Sequence, residues 1–215
     1  MRLRDGLSWC LCGNRTIFLD LYRDRYFGLK PEEENAFRSW LPEQGACDAS
    51  ALARLEACGL LVAGEPAVAS PSVAEPQRDL ADAAPAAPLG SVGRAVVAQL
   101  YASIQLRHRP LRAILESGAR SEARCAAPTR NREEIAIRVA AAFVAAGLIV
   151  RSADQCLPRA LAARAICRSY DLRTSLVFGV RLDPFLAHCW LQQDDAVIVG
   201  DLEQIRLFTP ILVVP

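Results

Sequence analysis

The sequence predicts an α+β protein of two domains. Three observations carry this. Residues 7–29 read as three short strands separated by turn residues and lead into helical segments. Residues 64–90 are rich in proline and alanine. In the second part, helices come first and strands last. Helices segregated from an antiparallel sheet define the α+β class. A chain of 215 residues suits one large domain or two small ones.

Residues 7–29 read as a three-stranded meander. Leu7–Cys12 alternates and stops at the turn pair Gly13-Asn14. Thr16–Tyr22 is β-branched, aromatic and apolar, and Tyr26–Leu29 is a short third strand. Pro31 sits where a helix starts, and the three glutamates after it suit a helix N-terminus. That helix runs to about Leu41, and a second covers about Asp48–Cys58, closed by Gly59 at C′. Five prolines between Gly64 and Gly90 mark a linker, which divides the chain into 1–63, 64–90 and 91–215. The second domain predicts helices at Ser91–Arg107, Leu111–Ser117, Glu133–Ala146 and Gln155–Tyr170. Strands follow at Thr174–Val180, Ala187–Gln193 and Ala196–Val199, with an apolar tail, Leu202–Pro215, packing along the sheet.

Composition excludes several functions. Basic and acidic residues number 25 and 24, so no global field draws the chain to nucleic acid or an anionic membrane. The longest apolar run, Val139–Val150, is shorter than the roughly 20 residues that span a bilayer. Met1–Ser8 has no apolar core of a signal peptide, so a cytoplasmic location and reduced thiols are expected for the eight cysteines. No Gly-rich phosphate loop and no G-x-S-x-G motif occurs. Cys10 and Cys12 form a lone C-x-C with no second pair at zinc spacing, so no metal and no cofactor are expected.

The candidate chemistry is short to search because the chain has only two histidines. His108 lies between two arginines at a helix end and reads as solvated. His188 lies inside a strand, two residues before Trp190. Pro158 is tolerated only in a first helical turn, so Cys156 must lie in that turn or just before it. There the unpaired N–H groups and the helix dipole favour a thiolate. Cysteine at a helix start, then histidine, then an acid on neighbouring strands is the chain order of transglutaminase- and papain-like cysteine enzymes. Asp201 is the candidate acid, while Asp194 and Asp195 read as turn residues. Cys189 remains the alternative sulfur, although its side chain points to the opposite face of the strand from His188.

These residues resemble a known family, the B protein of lasso-peptide biosynthesis. The matching pieces are C-L-P-R-A-L-A at 156–162, L-V-F-G-V-R-L-D-P-F at 176–185, A-H-C-W-L at 187–191, and the strand ending in Gly200-Asp201. The first domain agrees. G-L-S-W-C through L-D-L-Y-R-D-R-Y-F-G-L, and L-x-x-L-x-x-x-G-L-L at 52–61, are similar to the small module that binds leader peptides. Such modules carry three helices, whereas about six residues separate the two legible here, so the middle one is expected to be short or missing.

The resemblance implies a winged-helix-like N-terminal domain, with a three-stranded sheet plus helices, and a C-terminal transglutaminase/papain-like cysteine protease domain. It implies a leader peptidase in which Cys156 attacks the leader–core junction, His188 moves the proton and Asp201 orients His188. Its partners would be the precursor peptide and an ATP-dependent lasso cyclase that closes the macrolactam. The leader would add to the strand edge at Tyr26, Phe27 and Leu29, with Leu52 and Leu55 of the second helix supplying pockets. The same triad also serves an acyltransferase or amide-crosslinking enzyme. A winged-helix regulator is a third reading, disfavoured by the near-zero net charge and the lack of a basic recognition helix.

Overall fold

The computed structural model of the chain describes residues 1–41, 48–65, 72–122, 131–150 and 155–215. They form two units, Met1–Ser72 and Val73–Pro215. The first contains β1 (Arg2–Leu3), β2 (Leu7–Cys12), β3 (Arg15–Asp20), β4 (Arg25–Gly28), α1 (Pro31–Trp40), α2 (Ala49–Ala57) and β5 (Leu61–Val62). Strands β2, β3 and β4 make the expected antiparallel meander, in which β4 is a terminal strand. Strand β5 pairs with β1. Pro31 opens α1, and Asp48 caps α2 by accepting the Ala51 N–H at 2.7 Å. Gly59 follows α2 with φ +73°, a left-handed conformation that costs glycine nothing. The chain turns there, so Leu60 and Leu61 enter the core with Trp9, Phe18, Leu29, Phe37 and Leu55. Phe18 touches both Phe27 (5.2 Å, stacked) and Phe37 (4.9 Å, edge-on).

Beside this core lies a buried carboxylate. Burial pushes Asp20 up, but bonds from the Arg4 guanidinium (2.8 Å) and the N–H groups of Arg23 and Tyr22 hold it below its ordinary value. Its contribution to stability is therefore present at neutral pH and lost as pH falls through that lowered value.

The second unit contains β6 (Arg78–Asp79), α3 (Leu89–His108), α4 (Leu111–Glu122), α5 (Arg132–Ile149), α6 (Cys156–Arg168), β7 (Ser175–Arg181), β8 (Leu186–Gln193), β9 (Ala196–Val199), α7 (Leu202–Ile205) and β10 (Thr209–Val214). The sheet order is β10-β7-β8-β9-β6, antiparallel apart from the β6–β9 pair. Helices α3, α5 and α6 pack together, and α6 lies against β8 and β9. Among the described residues, no helix is long and apolar enough to cross a membrane.

Several expectations need correction. The 64–90 stretch is not all linker, because from Val73 onward it belongs to the second unit and supplies β6. Leu80, buried to 4% exposure, anchors it. The tail after Leu202 does not simply lie along the sheet, since it forms α7 and then the edge strand β10. Helix α5 runs past Gly147 to Ile149, because an interior glycine costs a helix only about 1 kcal/mol. Most of the loop expected at Arg120–Arg132, any helix between α1 and α2, Cys47 and Cys125 lie outside the described residues.

On β7, Gly179 lies opposite His188. A Cβ there would sit 2.7 Å from the Trp190 ring and 2.9 Å from Phe208. Gly179→Ala should therefore destabilise the protein by about 1–3 kcal/mol in urea unfolding. Gly147→Ala, whose nearest neighbour would be the Arg159 guanidinium at 3.7 Å, should be neutral or stabilising by up to about 1 kcal/mol. Equal effects of the two substitutions would contradict this packing.

Candidate active site

Helix α6 begins at Cys156, and Pro158 is its third residue. Proline has no N–H, and the Arg159 N–H donates to Gln155 O at 3.0 Å. The N–H groups of Cys156 and Leu157 therefore have no acceptor among the described residues. They form a helix end with positive character around a half-buried thiol. Gln155, just before it, accepts a bond from the buried Gln99 of α3 at 3.0 Å.

Along β8, neighbouring side chains alternate between the two faces of the sheet. Cys189 faces α6, where it feels the charges of Cys156 and Arg164. His188 faces the other side, 5.3 Å from the Phe208 ring and 6.4 Å from the Trp190 ring. Its Nε2 is buried without a hydrogen-bond partner among the described residues. An orphaned imidazole nitrogen is costly unless a ligand or a reaction completes it. Asp201 follows β9 as the N-cap of α7 and accepts the N–H groups of Glu203 (3.1 Å) and Gln204 (3.2 Å). Its second oxygen accepts from the Gln204 side chain at 3.1 Å.

The structure thus brings His188 within electrostatic range of Asp201, and Cys156 within range of Cys189, the residue after His188. No hydrogen bond joins Cys156 to His188 or His188 to Asp201 among the described residues. Such bonds often tighten only when substrate binds.

A family model described as the transglutaminase-like superfamily matches residues 97–213, which spans α3 to β10 and includes Cys156, His188 and Asp201. The chain belongs to the transglutaminase-like superfamily. That membership is compatible with a cysteine protease or an acyltransferase. No curated protein and no solved structure gives a significant match.

Within this transglutaminase-like domain, burial separates the thiols. It pushes Cys167 up to about 12 and Cys189 well above the ordinary thiol value. Cys10, in the first unit, is also pushed up to about 12. These thiols stay protonated at neutral pH and make poor nucleophiles. Cys189 is thereby a poor alternative to Cys156. Among the described residues, no group of three His, Cys, Asp or Glu could hold a metal ion.

The positions expected to bind a leader divide. Tyr26 and Phe27 lie half-buried on the terminal strand β4, and Leu29 is buried just after it. Leu52 is half-buried on α2, whereas Leu55 is fully buried in the core cluster with Phe18 and Phe37. Leu55 is thus a core residue that offers no pocket to a surface ligand. Gln99, which bonds the residue before Cys156, was not legible in the sequence because it is a single polar residue within a helix.

Burial pushes the His188 pKa down from its ordinary value, and the Asp201 carboxylate partly restores it. The imidazole is thus neutral at pH 7 and competent as a base. With a folded pKa below the unfolded one, stability is intact above pH ~6.5 and declines as pH falls below it. NMR titration of the imidazoles should place His188 below the ordinary value. Asp201→Asn keeps a capping side chain but removes the charge, so it should lower the His188 pKa further. An unchanged His188 titration in this variant would break the pairing.

Proposed function

We propose that the chain is the leader peptidase of lasso-peptide maturation. The observation that carries this reading is the pairing of two separately packed units. One is transglutaminase-like, with a half-buried thiol at a helix N-terminus. The other is a small sheet whose last strand, β4, is terminal and so has an edge to offer an extended peptide.

In this reading the leader pairs with the β4 edge at Tyr26 and Phe27, with Leu29 and Leu52 behind it. Cys156 Sγ attacks the carbonyl carbon of the last leader residue while His188 takes the thiol proton. The oxyanion forms next to the N–H groups of Cys156 and Leu157. His188 returns the proton to the departing core amine, the C–N bond breaks, and a thioester remains. Water then attacks the thioester, giving its proton to His188, and the leader leaves as a carboxylic acid with the thiol restored. The Asp201 charge favours the imidazolium in both steps. The freed core amine passes to an ATP-dependent cyclase for macrolactam closure.

The test is to incubate the full chain with the precursor peptide and read the products by mass spectrometry. We expect a free leader acid and a free core amine. Cys156→Ala should reduce cleavage by about 10⁴-fold or more while leader affinity by titration calorimetry stays at the wild-type level. Iodoacetamide should label Cys156 faster than Cys10, Cys167 and Cys189. A leader joined to an added amine would assign acyl transfer instead. Cleavage by Cys156→Ala but not by Cys189→Ala would move the nucleophile.

A further inference from the structure

The segment just after the boundary between the units is built into the candidate site from behind. Strand β6 runs parallel to β9 through Arg78–Ala196 and Asp79–Val197. Gln77 and Arg78 N–H groups donate to Asp195 O at 2.8 and 3.3 Å, and Leu80 N–H donates to Val197 O at 2.9 Å. Arg78 adds side-chain bonds to Glu133 (2.7 Å) and Asp195 (3.2 Å). Further up the segment, Ala74 O accepts from Gln192 Nε2 at 2.8 Å, and Gln192 Oε1 accepts from the Trp190 indole at 2.7 Å. Trp190 is the ring stacked beside His188.

Asp79 is the one carboxylate in this segment with two jobs. Its Oδ1 accepts the Ala81 N–H at 2.9 Å, which closes the turn after β6. Its Oδ2 accepts the N–H of Leu202 at 3.2 Å. Leu202 is the first residue of α7 and follows Asp201 directly. The bond therefore fixes the N-terminus of a four-residue helix too short to hold itself. Asp79 also faces Arg159 of α6, three residues after Cys156, where burial lowers the guanidinium pKa and the Asp79 charge raises it. Arg159 otherwise donates one N–H to Phe143 O at 2.9 Å and leaves Nε buried without a partner among the described residues.

We propose that Asp79 is a positioning residue of the active site, which holds Asp201 in range of His188 by fixing the Leu202 N–H. This inference rests on His188 and Asp201 being the working pair of the proposed peptidase. Asp79 touches no reacting atom and acts only through α7. Among the described residues, Asp201 on the α7 side is the charged group that acts on His188, and Arg181 of β7 lies over the Phe208 ring at 5.5 Å, the ring that also contacts His188. If α7 shifts, Asp201 moves while Arg181 stays.

The test uses two substitutions that break the same bond from opposite ends. Asp79→Asn is isosteric but can accept only one of the two N–H groups. Leu202→Pro removes the donor at the first helical position, where proline is tolerated, and the extended backbone of Asp201 (φ −132°, ψ 113°) suits a residue before proline. Each variant should lower the His188 pKa, read by NMR on the full chain, in the direction of Asp201→Asn. In an Asp201→Asn background neither should lower it further, because the charge being positioned is gone. With precursor peptide, each should lower kcat by about 10- to 100-fold, the scale of a small misplacement, with KM retained.

A His188 pKa unchanged in both variants overturns the proposal. So does a drop of equal size with and without Asp201, which would mean a direct charge effect of Asp79. If the wild-type chain does not cleave the precursor, the peptidase reading fails. The NMR arm still decides the role of Asp79.

Discussion

Trp190 is 1% exposed, and its ring lies on the bare backbone of Gly179. Much of the second unit follows from burying that ring. It forms one cluster with Val177, Val197 and Ile205, so it joins β7, β8, β9 and α7. Its i−2 neighbour on the same face is His188, whose ring stacks beside it and against Phe208. Its indole N–H needs an acceptor once buried, and Gln192 supplies one. Gln192 is itself fully buried and completes its own bonds with Ala74 O and Asp194 O. A single large aromatic residue thus orients the histidine, seats the helix that Asp201 caps, and ties down the segment entering the domain.

Cys189 lies on the opposite face of β8 from His188, under helix α6, and Cys156 stands half-buried at the start of that helix. The two thiols differ in burial, since Cys189 is buried and Cys156 is half-buried. Desolvation penalises a thiolate at Cys189.

The sequence made much of this legible through strong local signals. Pro158 alone located the start of α6, because proline fits nowhere later in a helix. Period-two alternation located β2, β-branched and aromatic residues located β3, and Gly59 located the end of α2. Strand β6 stayed hidden because two polar residues in a proline-rich stretch carry no pattern. Their pairing with β9 joins segments more than a hundred residues apart. Leu55 was ambiguous for a different reason. Helical spacing puts Leu52 and Leu55 on one face, but it does not say how deep each lies, and Leu55 is the one that meets Phe18 and Phe37. The acid was legible as a residue and not as a geometry. Asp201 was expected to orient His188; in the structure its side chain caps α7, and its charge raises the His188 pKa against the effect of burial.

The central claim is that Cys156 forms a covalent bond to the leader. Acid quenching of the full chain during turnover of precursor peptide, followed by intact-mass and peptide mapping, reads this directly. The account requires a thioester between Cys156 and the leader's last carboxyl, adding the mass of the leader acid less one water. An adduct on Cys189, or turnover that leaves every cysteine unmodified at all quench times, would contradict it.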